Sequence, residues 1–329
     1  MKALVCGYGL IGKDRVAALV ALKAEGIPLE RIAVLDPFLD PALALPAGVE
    51  RLGAWEAVVA YAPDWVVAAT PHDAAVPLVR QALDLGAKVL VEKPLGRNLA
   101  EAESLAAAGP GRLWVGYNYR FFAGVAALFA DVQTGRFGEL VSARFTLGHG
   151  GSPDLKGTWK MDAEKVGGGC LLDPGTHLLD LCLALSPKGV SPLAAFAWRG
   201  FWDRGFDEEA QVLLQADGFA ITLDSSVVRW RSAFKLEVHG SDGYGVVSGR
   251  GRSYGPQTYV RGERWGWQKA KDQASSEEKV IETDCADSFK AELRALLDPQ
   301  AKPVLAPCSG AEALRGMQLY DACLQSLRR

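Results

Sequence analysis

Two short runs in this chain of 329 residues carry groups fit for proton transfer: Glu92-Lys93-Pro94 and Asp173-Pro174-Gly175-Thr176-His177. Oxidising an alcohol takes a hydride from carbon and a proton from oxygen. Such a site needs a base, and positive charge where the oxygen turns negative. Histidine is the side chain whose ordinary pKa suits a base near neutral pH. Asp173 and His177 lie four residues apart, which on a helix puts them on one face. The carboxylate would then orient the imidazole. Asp180, three residues further on, offers the same from the other side. A competing reading makes Asp173 a helix N-cap and Pro174 the first helical residue. Lys93 supplies the charge. It follows an apolar run, and Pro94 restricts it to an extended backbone. A lone lysine after a strand is more often a surface group.

A hydride acceptor must sit opposite these groups. Gly7-Tyr8-Gly9-Leu10-Ile11-Gly12 follows the apolar run Lys2–Cys6 and opens a stretch with helical spacing. In that context the three glycines read as a dinucleotide phosphate turn. The first allows a tight turn, the second a close approach of the pyrophosphate, the third the packing of helix on sheet. The helix N-terminus adds free N–H groups and partial positive charge. Asp36 ends the next strand, 24 residues after Gly12. A carboxylate there accepts from the ribose hydroxyls and repels a 2'-phosphate. No Lys or Arg occurs from Pro37 to Pro41, so NAD is favoured over NADP. Asp36 before Pro37 also fits a plain turn.

The elements that must position these groups follow from periodicity. Lys2–Cys6, Arg31–Asp36, Trp65–Thr70, Lys88–Val91 and Leu113–Gly116 read as buried strands. Leu10–Lys23, Asp73–Leu85 and Leu99–Ala108 read as helices between them. Alternation of this kind predicts an α/β Rossmann domain over 1–118, a doubly wound parallel sheet. After Arg120 the pattern changes. Helices are predicted at Phe121–Val132, Cys170–Leu185, Ala286–Leu297 and Ser309–Leu327. Ala194–Trp198, Ala210–Gln215, Ala220–Val228, Ala233–Val238 and Gly245–Val247 read as strands joined by short turns. The second domain, 119–329, is therefore predicted as α+β with a large, mostly antiparallel open sheet, serving substrate binding and oligomerisation. Gln268–Lys279 is polar and reads as a solvated loop.

Composition excludes several partners. The chain is 49% hydrophobic, enough for two cores, and its net charge of -3 comes from 36 basic and 39 acidic residues. Neither a nucleic-acid nor a membrane surface is indicated. No apolar run nears the roughly 20 residues of a membrane helix. The six cysteines form no CxxC pair and no zinc spacing, so no metal is expected and a reducing, cytoplasmic setting is.

Together these motifs resemble the glucose–fructose oxidoreductase / inositol dehydrogenase / MocA family. The resemblance spans nearly the whole chain. It rests on the glycine turn, on Thr70-Pro71, on Glu92-Lys93-Pro94 and on the glycine-led Asp173…His177 segment. Asn118-Tyr119-Arg120-Phe121 is similar to the family's Asn-x-Arg segment, and Trp159-Lys160 stands where Trp-Arg is common. The resemblance implies that Lys93 contacts the reacting hydroxyl and the nicotinamide. It implies His177 as general acid/base, with Asp173 as partner or substrate contact. Asn118, Tyr119, Arg120, Trp159 and Lys160 become substrate contacts. Thr70, Pro71, His72 and Glu92 join the cofactor site. One departure stands out: the family reads Thr-Pro-Asn-x-x-His, and here His72 and Ala75 replace the last two of those polar residues.

The family acts on ring hydroxyls of sugars, cyclitols and nucleotide sugars, which implies a sugar-type substrate and a homodimer or homotetramer built through the C-terminal sheet. Arg229-Trp230-Arg231 and the Arg-, Tyr- and Trp-rich stretch Gly249–Trp267 fit either a sugar site or a subunit contact. Arg144, Lys156 and Lys160 are further cations for an anionic group. Two other outcomes fit the same residues: a non-catalytic NAD or sugar sensor, and an NAD-dependent, redox-neutral glycoside-cleaving enzyme.

Overall fold

Alternation within short apolar strands builds the first sheet. In Lys2–Cys6 (β1), Ala3 and Val5 pack into one core layer and Leu4 and Cys6 into the other, and all four are buried. Helices must therefore cover both faces. The computed structural model describes residues 1–152, 157–203, 205–263, 277–283 and 287–327. Its first sheet continues through α1 (Leu10–Ala24), β2 (Arg31–Leu35), β3 (Val49–Leu52) and α2 (Trp55–Tyr61). It goes on with β4 (Trp65–Ala68), α3 (His72–Asp84), β5 (Lys88–Glu92), α4 (Leu99–Ala108) and β6 (Leu113–Gly116). The order is β3-β2-β1-β4-β5-β6, every neighbouring pair parallel. Strand order reverses beside β1, and the carboxyl ends of β1, β4 and β5 border the crevice where such sheets bind ligands. Local signals are clear at α4, where the Asn98 side chain accepts from Glu101 N–H at 3.0 Å and Glu101 accepts from Arg97 N–H at 2.8 Å.

The second sheet begins after α5 (Ala123–Gln133) with β7 (Leu140–Gly148). A short helix α6 (Ala163–Val166) and α7 (Thr176–Leu185) precede β8 (Ser191–Trp198), β9 (Glu209–Gln215) and β10 (Ala220–Ser226). Then come β11 (Ala233–Gly240), β12 (Gly243–Ser248), β13 (Gln257–Glu263) and β14 (Glu277–Thr283). The order is β14-β13-β12-β11-β7-β10-β9-β8, antiparallel except for β7 with β10. The chain then returns to the first domain. Helix α8 (Ser288–Leu297) packs on α1. Cys308–Ser309 (β15) pairs antiparallel with β6, and α9 (Gly310–Leu327) lies against α4 and β6.

Three expectations change. The predicted helix over 170–185 is helical only from Thr176, and Gly175, not Asp173, is its N-cap. Pro174 brings no N–H to a helix, and Asp207 captures the N–H groups of Cys170 and Leu171 at 2.8 Å each. Asp173 and His177 therefore do not share a helical face. The helix expected at Phe121–Val132 opens two residues later, at Ala123, after a 3-10 turn over Asn118–Phe121. Gln268–Lys279 lies mostly outside the described residues, and its last three residues begin β14. The strands β3, β7, β13, β14 and β15 and the helices α2 and α6 are additions.

One buried cluster ties the returning segment to the first sheet and its helix α1. Arg15 of α1 is fully buried. Its Nε donates to Glu92 at 2.7 Å, and its NH1 lies 2.6 Å from Glu292 on α8. One guanidinium thus faces two carboxylates. Burial pushes the Glu292 carboxyl up to about 7, with Glu92 acting in the same sense and Arg15 opposing. A carboxyl raised in the folded state makes that state bind more protons between its ordinary pKa and about 7, so stability falls as pH rises through that window. Glu292→Gln removes this proton. The stability of Glu292→Gln relative to the parent should therefore rise, by about 3 kcal/mol at most, between pH 5 and pH 8. Urea unfolding of both proteins at several pH values checks this. A gap that stays constant with pH sinks the argument.

Candidate active site

The phosphate turn is shaped by two contacts that only glycine permits. Gly7 has φ +87° and donates to Leu35 O at 2.9 Å; a Cβ there would lie 2.5 Å from Ala69 O. A Cβ on Gly12 would lie 2.0 Å from Gly7 O, so α1 starts in direct contact with the turn. Gly9 differs: a Cβ there meets nothing within 4 Å. The open space beside Gly9 is where a pyrophosphate would approach. Two buried oxygens nearby in sequence, Thr70 Oγ1 and Asp73 Oδ1, have no partner. Orphaned groups of this kind after β4, with the cradle at Gly9, fit a dinucleotide.

Asp36 closes the turn from β2. Its Oδ2 accepts from Tyr8 N–H at 2.7 Å and its Oδ1 from Phe38 N–H at 2.9 Å. A carboxylate has about four acceptor positions, so capacity remains for ribose hydroxyls. A turn-forming role is therefore compatible with ribose binding at the same carboxylate. Asp36→Ala should shift the ratio of NAD to NADP affinity toward NADP by about tenfold, the equivalent of 1.4 kcal/mol of removed repulsion. Dissociation constants for both cofactors measure this, and an unchanged ratio removes Asp36 from the ribose site.

Two of the candidate proton-transfer groups, Lys93 and Asp173, meet at the end of β5. Lys93 Nζ bonds Asp173 Oδ1, and Lys160 Nζ lies 3.8 Å from Asp173 Oδ2. Lys93 is thus brought to Asp173 across 80 residues of chain. Burial works against the Asp173 charge, but Lys93 and Lys160 outweigh it and hold the carboxyl well below its usual range. His177 is the reverse case. Burial first, then the positive charge of Lys93, holds its pKa well below the ordinary value. The imidazole is therefore neutral. It stacks on Tyr119, with centroids 3.7 Å apart and 5° between planes, and the Tyr117 ring meets its edge at 5.8 Å. Its Nδ1 is buried without a hydrogen-bond partner.

Several other expected contacts are engaged elsewhere. Arg120 is buried and forked onto Asp180 at 2.6 and 2.8 Å, with a further bond to Ala306 O. Its guanidinium pins α7 to the α9 end of the chain rather than opening into the cleft. Asp180 is consequently turned to Arg120, not to His177. Asn118 donates to Ser288 Oγ at 2.7 Å, and Glu92 holds Arg15. His72 Nδ1 lies 2.9 Å from Val166 O, and its ring meets Trp159 edge-on at 4.9 Å. Tyr259 and Arg261 both bind Asp131 of α5, so they hold helix to sheet. Arg144 is exposed on β7. Lys156, Trp265 and Trp267 lie outside the described residues.

Three residues join the site without having been singled out by spacing. His149, at the end of β7, accepts from Gly151 N–H at 3.0 Å through Nδ1, which leaves Nε2 as the donor. Arg250 lies 3.9 Å from the centroid of Tyr254 and 5.3 Å from that of Tyr119. Trp202 lines a small cleft of about 60 Å³ with His149, Lys160, Met161, Val166 and Asp173. Each follows the end of a strand in the second sheet, and only the three-dimensional order of that sheet brings them together. Among the described residues no His, Cys, Asp and Glu group could hold a metal ion, and no helix is long and apolar enough to cross a membrane.

The glycine turn after β1 and the lysine–carboxylate pair after β5 both lie at the carboxyl ends of strands of one parallel sheet, the place where a Rossmann domain holds a dinucleotide. Residues 1–112 match the family model described as oxidoreductase family, NAD-binding Rossmann fold, and residues 125–245 match the GFO/IDH/MocA C-terminal domain. The chain belongs to the GFO/IDH/MocA oxidoreductase family. It is 28% identical over 250 residues to inositol 2-dehydrogenase of Rhizobium meliloti, covering 72% of this chain and 73% of that one. A myo-inositol dehydrogenase from Corynebacterium glutamicum superposes with a TM-score of 0.76 at 20% identity, covering 100% of this chain and 96% of that one. Levoglucosan dehydrogenase in complex with NADH superposes with a TM-score of 0.78 at 19% identity, covering 100% and 97%. The two structures share this fold.

Proposed function

We propose that this protein moves a hydride between nicotinamide and a ring hydroxyl or ketone of a sugar or cyclitol. The observation that carries the reading is the neutral His177 within electrostatic reach of the Lys93–Asp173 pair, at the carboxyl end of β5. In the oxidising direction His177 accepts the hydroxyl proton as the C–H bond gives up its hydride and the carbonyl forms. Lys93 places positive charge beside that oxygen, where negative charge develops. Asp173 holds Lys93 in position and presents an acceptor to a neighbouring hydroxyl. Lys160 lines the cleft beside Asp173, and Trp159 packs on His72. Gly7–Gly12, Asp36, Thr70 and Pro71 would hold the dinucleotide. Bound NAD supplies the hydride acceptor. The names of the relatives, a cyclitol dehydrogenase and a sugar dehydrogenase, support the substrate class.

Assembly through the second sheet follows from its outer face. Phe196, Trp198 and Leu213 are exposed there on neighbouring strands β8 and β9, where a second copy of the chain would cover them. The buried free thiols Cys6, Cys170, Cys182, Cys308 and Cys323 suit a reducing cytoplasm.

The test is direct. The protein is mixed with NAD and a panel of sugars, cyclitols, sugar phosphates and nucleotide sugars, and NADH absorbance is followed. Net NADH formation is the expected result. Binding without turnover, unchanged in His177→Ala, would instead mark a sensor, and product release without net NADH a redox-neutral cleavage.

A further inference from the structure

The cleft has an unusual rim. Its lining combines the polar groups of Asp173, Lys160 and His149 with the indole of Trp202. The aromatic wall does not stop there. Phe201 meets Trp202 with centroids 5.0 Å apart, and Phe201 meets Trp230 at 4.8 Å. Three rings thus run from the cleft into solvent. Phe201 is 53% and Trp230 68% exposed. Large aromatic side chains left in water at the edge of a cleft gain free energy when a ligand covers them.

The wall is also held in place. The fully buried carboxylate of Glu208 accepts from the N–H groups of Gly200, Phe201 and Trp202 at 3.3, 2.8 and 2.8 Å. The Trp202 indole N–H donates to Val227 O at 2.9 Å. With its N–H used, the indole can offer a ligand only apolar ring surface. Gly151 and Gly150 pack against it from below: a Cβ at either would lie 2.7 Å from Trp202 or 3.1 Å from Trp230. The neighbouring Asp207 binds Cys170 and Leu171, so the loop is fastened to the segment that carries Asp173. A wall built this way is fixed in register with the reacting groups.

From this we infer that Trp202, Phe201 and Trp230 form a subsite for a second sugar ring, so that the substrate is a neutral glycoside rather than a free monosaccharide. The inference rests on the sugar-dehydrogenase reading above and narrows it. The reacting ring lies over the polar groups. The second ring lays its apolar C–H face on the indoles, the surface aromatic side chains offer to saturated rings. A nucleotide sugar would need cations between the two rings for its diphosphate. Arg229, next to Trp230, is already held by Asp224 and Glu209 at 2.9 and 3.5 Å, and Lys160 in the cleft lies 3.8 Å from the Asp173 carboxylate, so neither cation is left without a counter-charge.

The experiment compares matched pairs in the NAD assay: D-glucose with cellobiose and maltose, and D-galactose with lactose. UDP-glucose is run alongside. Binding of the same sugars to the NADH-loaded protein is followed in parallel by calorimetry. At least one disaccharide should exceed its monosaccharide in kcat/KM by about tenfold, and Trp230→Ala should remove most of that advantage, mainly through KM. Trp230 is exposed, so the variant is expected to fold; Phe201→Ala gives a second, independent variant. Disaccharide binding that Trp230→Ala weakens tenfold, without NADH production, keeps the subsite and overturns the dehydrogenase reading instead. The subsite is overturned if no disaccharide binds, if the advantage survives both variants, or if UDP-glucose exceeds every disaccharide. It is also overturned if Trp230→Ala splits an oligomer while the sugar preference stays the same.

Discussion

His177→Ala should lower kcat by about 10² to 10⁴, the range that a positioned general base contributes. NADH affinity should stay within about twofold of the parent, because no contact of the phosphate turn involves His177. The pH profile adds a second readout. Burial and Lys93 hold the imidazole pKa down, so the group is neutral well below its ordinary value. The sign follows: a depressed histidine loses its basic form only in acid. The parent's kcat/KM for oxidation should therefore stay flat as pH falls through the ordinary histidine range, and the His177-dependent decline should begin below it. Some stability should go as well, since Tyr119 loses its stacked partner. Stopped-flow and steady-state kinetics with urea unfolding separate these effects. Turnover within a few-fold of the parent would remove His177 from the chemistry.

Gly12→Ala should weaken NADH binding by about 100-fold or more, the equivalent of about 2.7 kcal/mol. The added methyl would lie 2.0 Å from the carbonyl oxygen of Gly7 and 2.8 Å from its carbon, and both are backbone. Neither atom can rotate away, so α1 and the turn must separate. Overpacking of this kind typically costs about 1–3 kcal/mol, and Tm should fall by several degrees. Gly9→Ala is the matched control. A Cβ there meets nothing within 4 Å, so Tm should hold. Its NADH affinity should still fall, because the methyl enters the space left for the pyrophosphate. NADH fluorescence titration beside thermal unfolding distinguishes the two. Normal binding in Gly12→Ala would contradict the packing argument, and normal binding in Gly9→Ala would place the phosphates elsewhere.

The two halves of the molecule differ in how legible they are. In the first, strands buried on both faces and glycines at fixed offsets are local signals. They locate β1, β2, β4, β5 and β6 within about two residues of the observed ends. The phosphate turn and Lys93 follow from the same signals. Asp173 and His177 are singled out by their spacing, but the helix that carries His177 begins only at Thr176, beyond Asp173. Asp207, 34 residues away from Asp173, takes over the backbone of that segment, and spacing within 170–185 carries no trace of it. The β7 strand was readable in principle, since Ala143, Phe145 and Leu147 alternate into the core. His149, Trp202 and Arg250 were not. They become neighbours only through the order β12-β11-β7-β10-β9-β8, which pairs distant segments. Arg120 and Asp180 show the opposite failure: polar residues of the right type near the right place, spent on each other in the interior.

The last strand and helix carry a consequence for biosynthesis. The ribosome releases residues 1–118 long before residues 308–327, yet β15 supplies the partner for the outer edge of β6, and Gly310 of α9 lies against Leu113. A nascent chain stopped at residue 300 would hold a nearly complete nucleotide fold with one bare strand edge and an uncovered apolar flank. Such an edge invites pairing with other chains. The cofactor domain therefore reaches its closed form only once residues 308–327 have emerged, and the interval before that is when its open edge is most in need of cover.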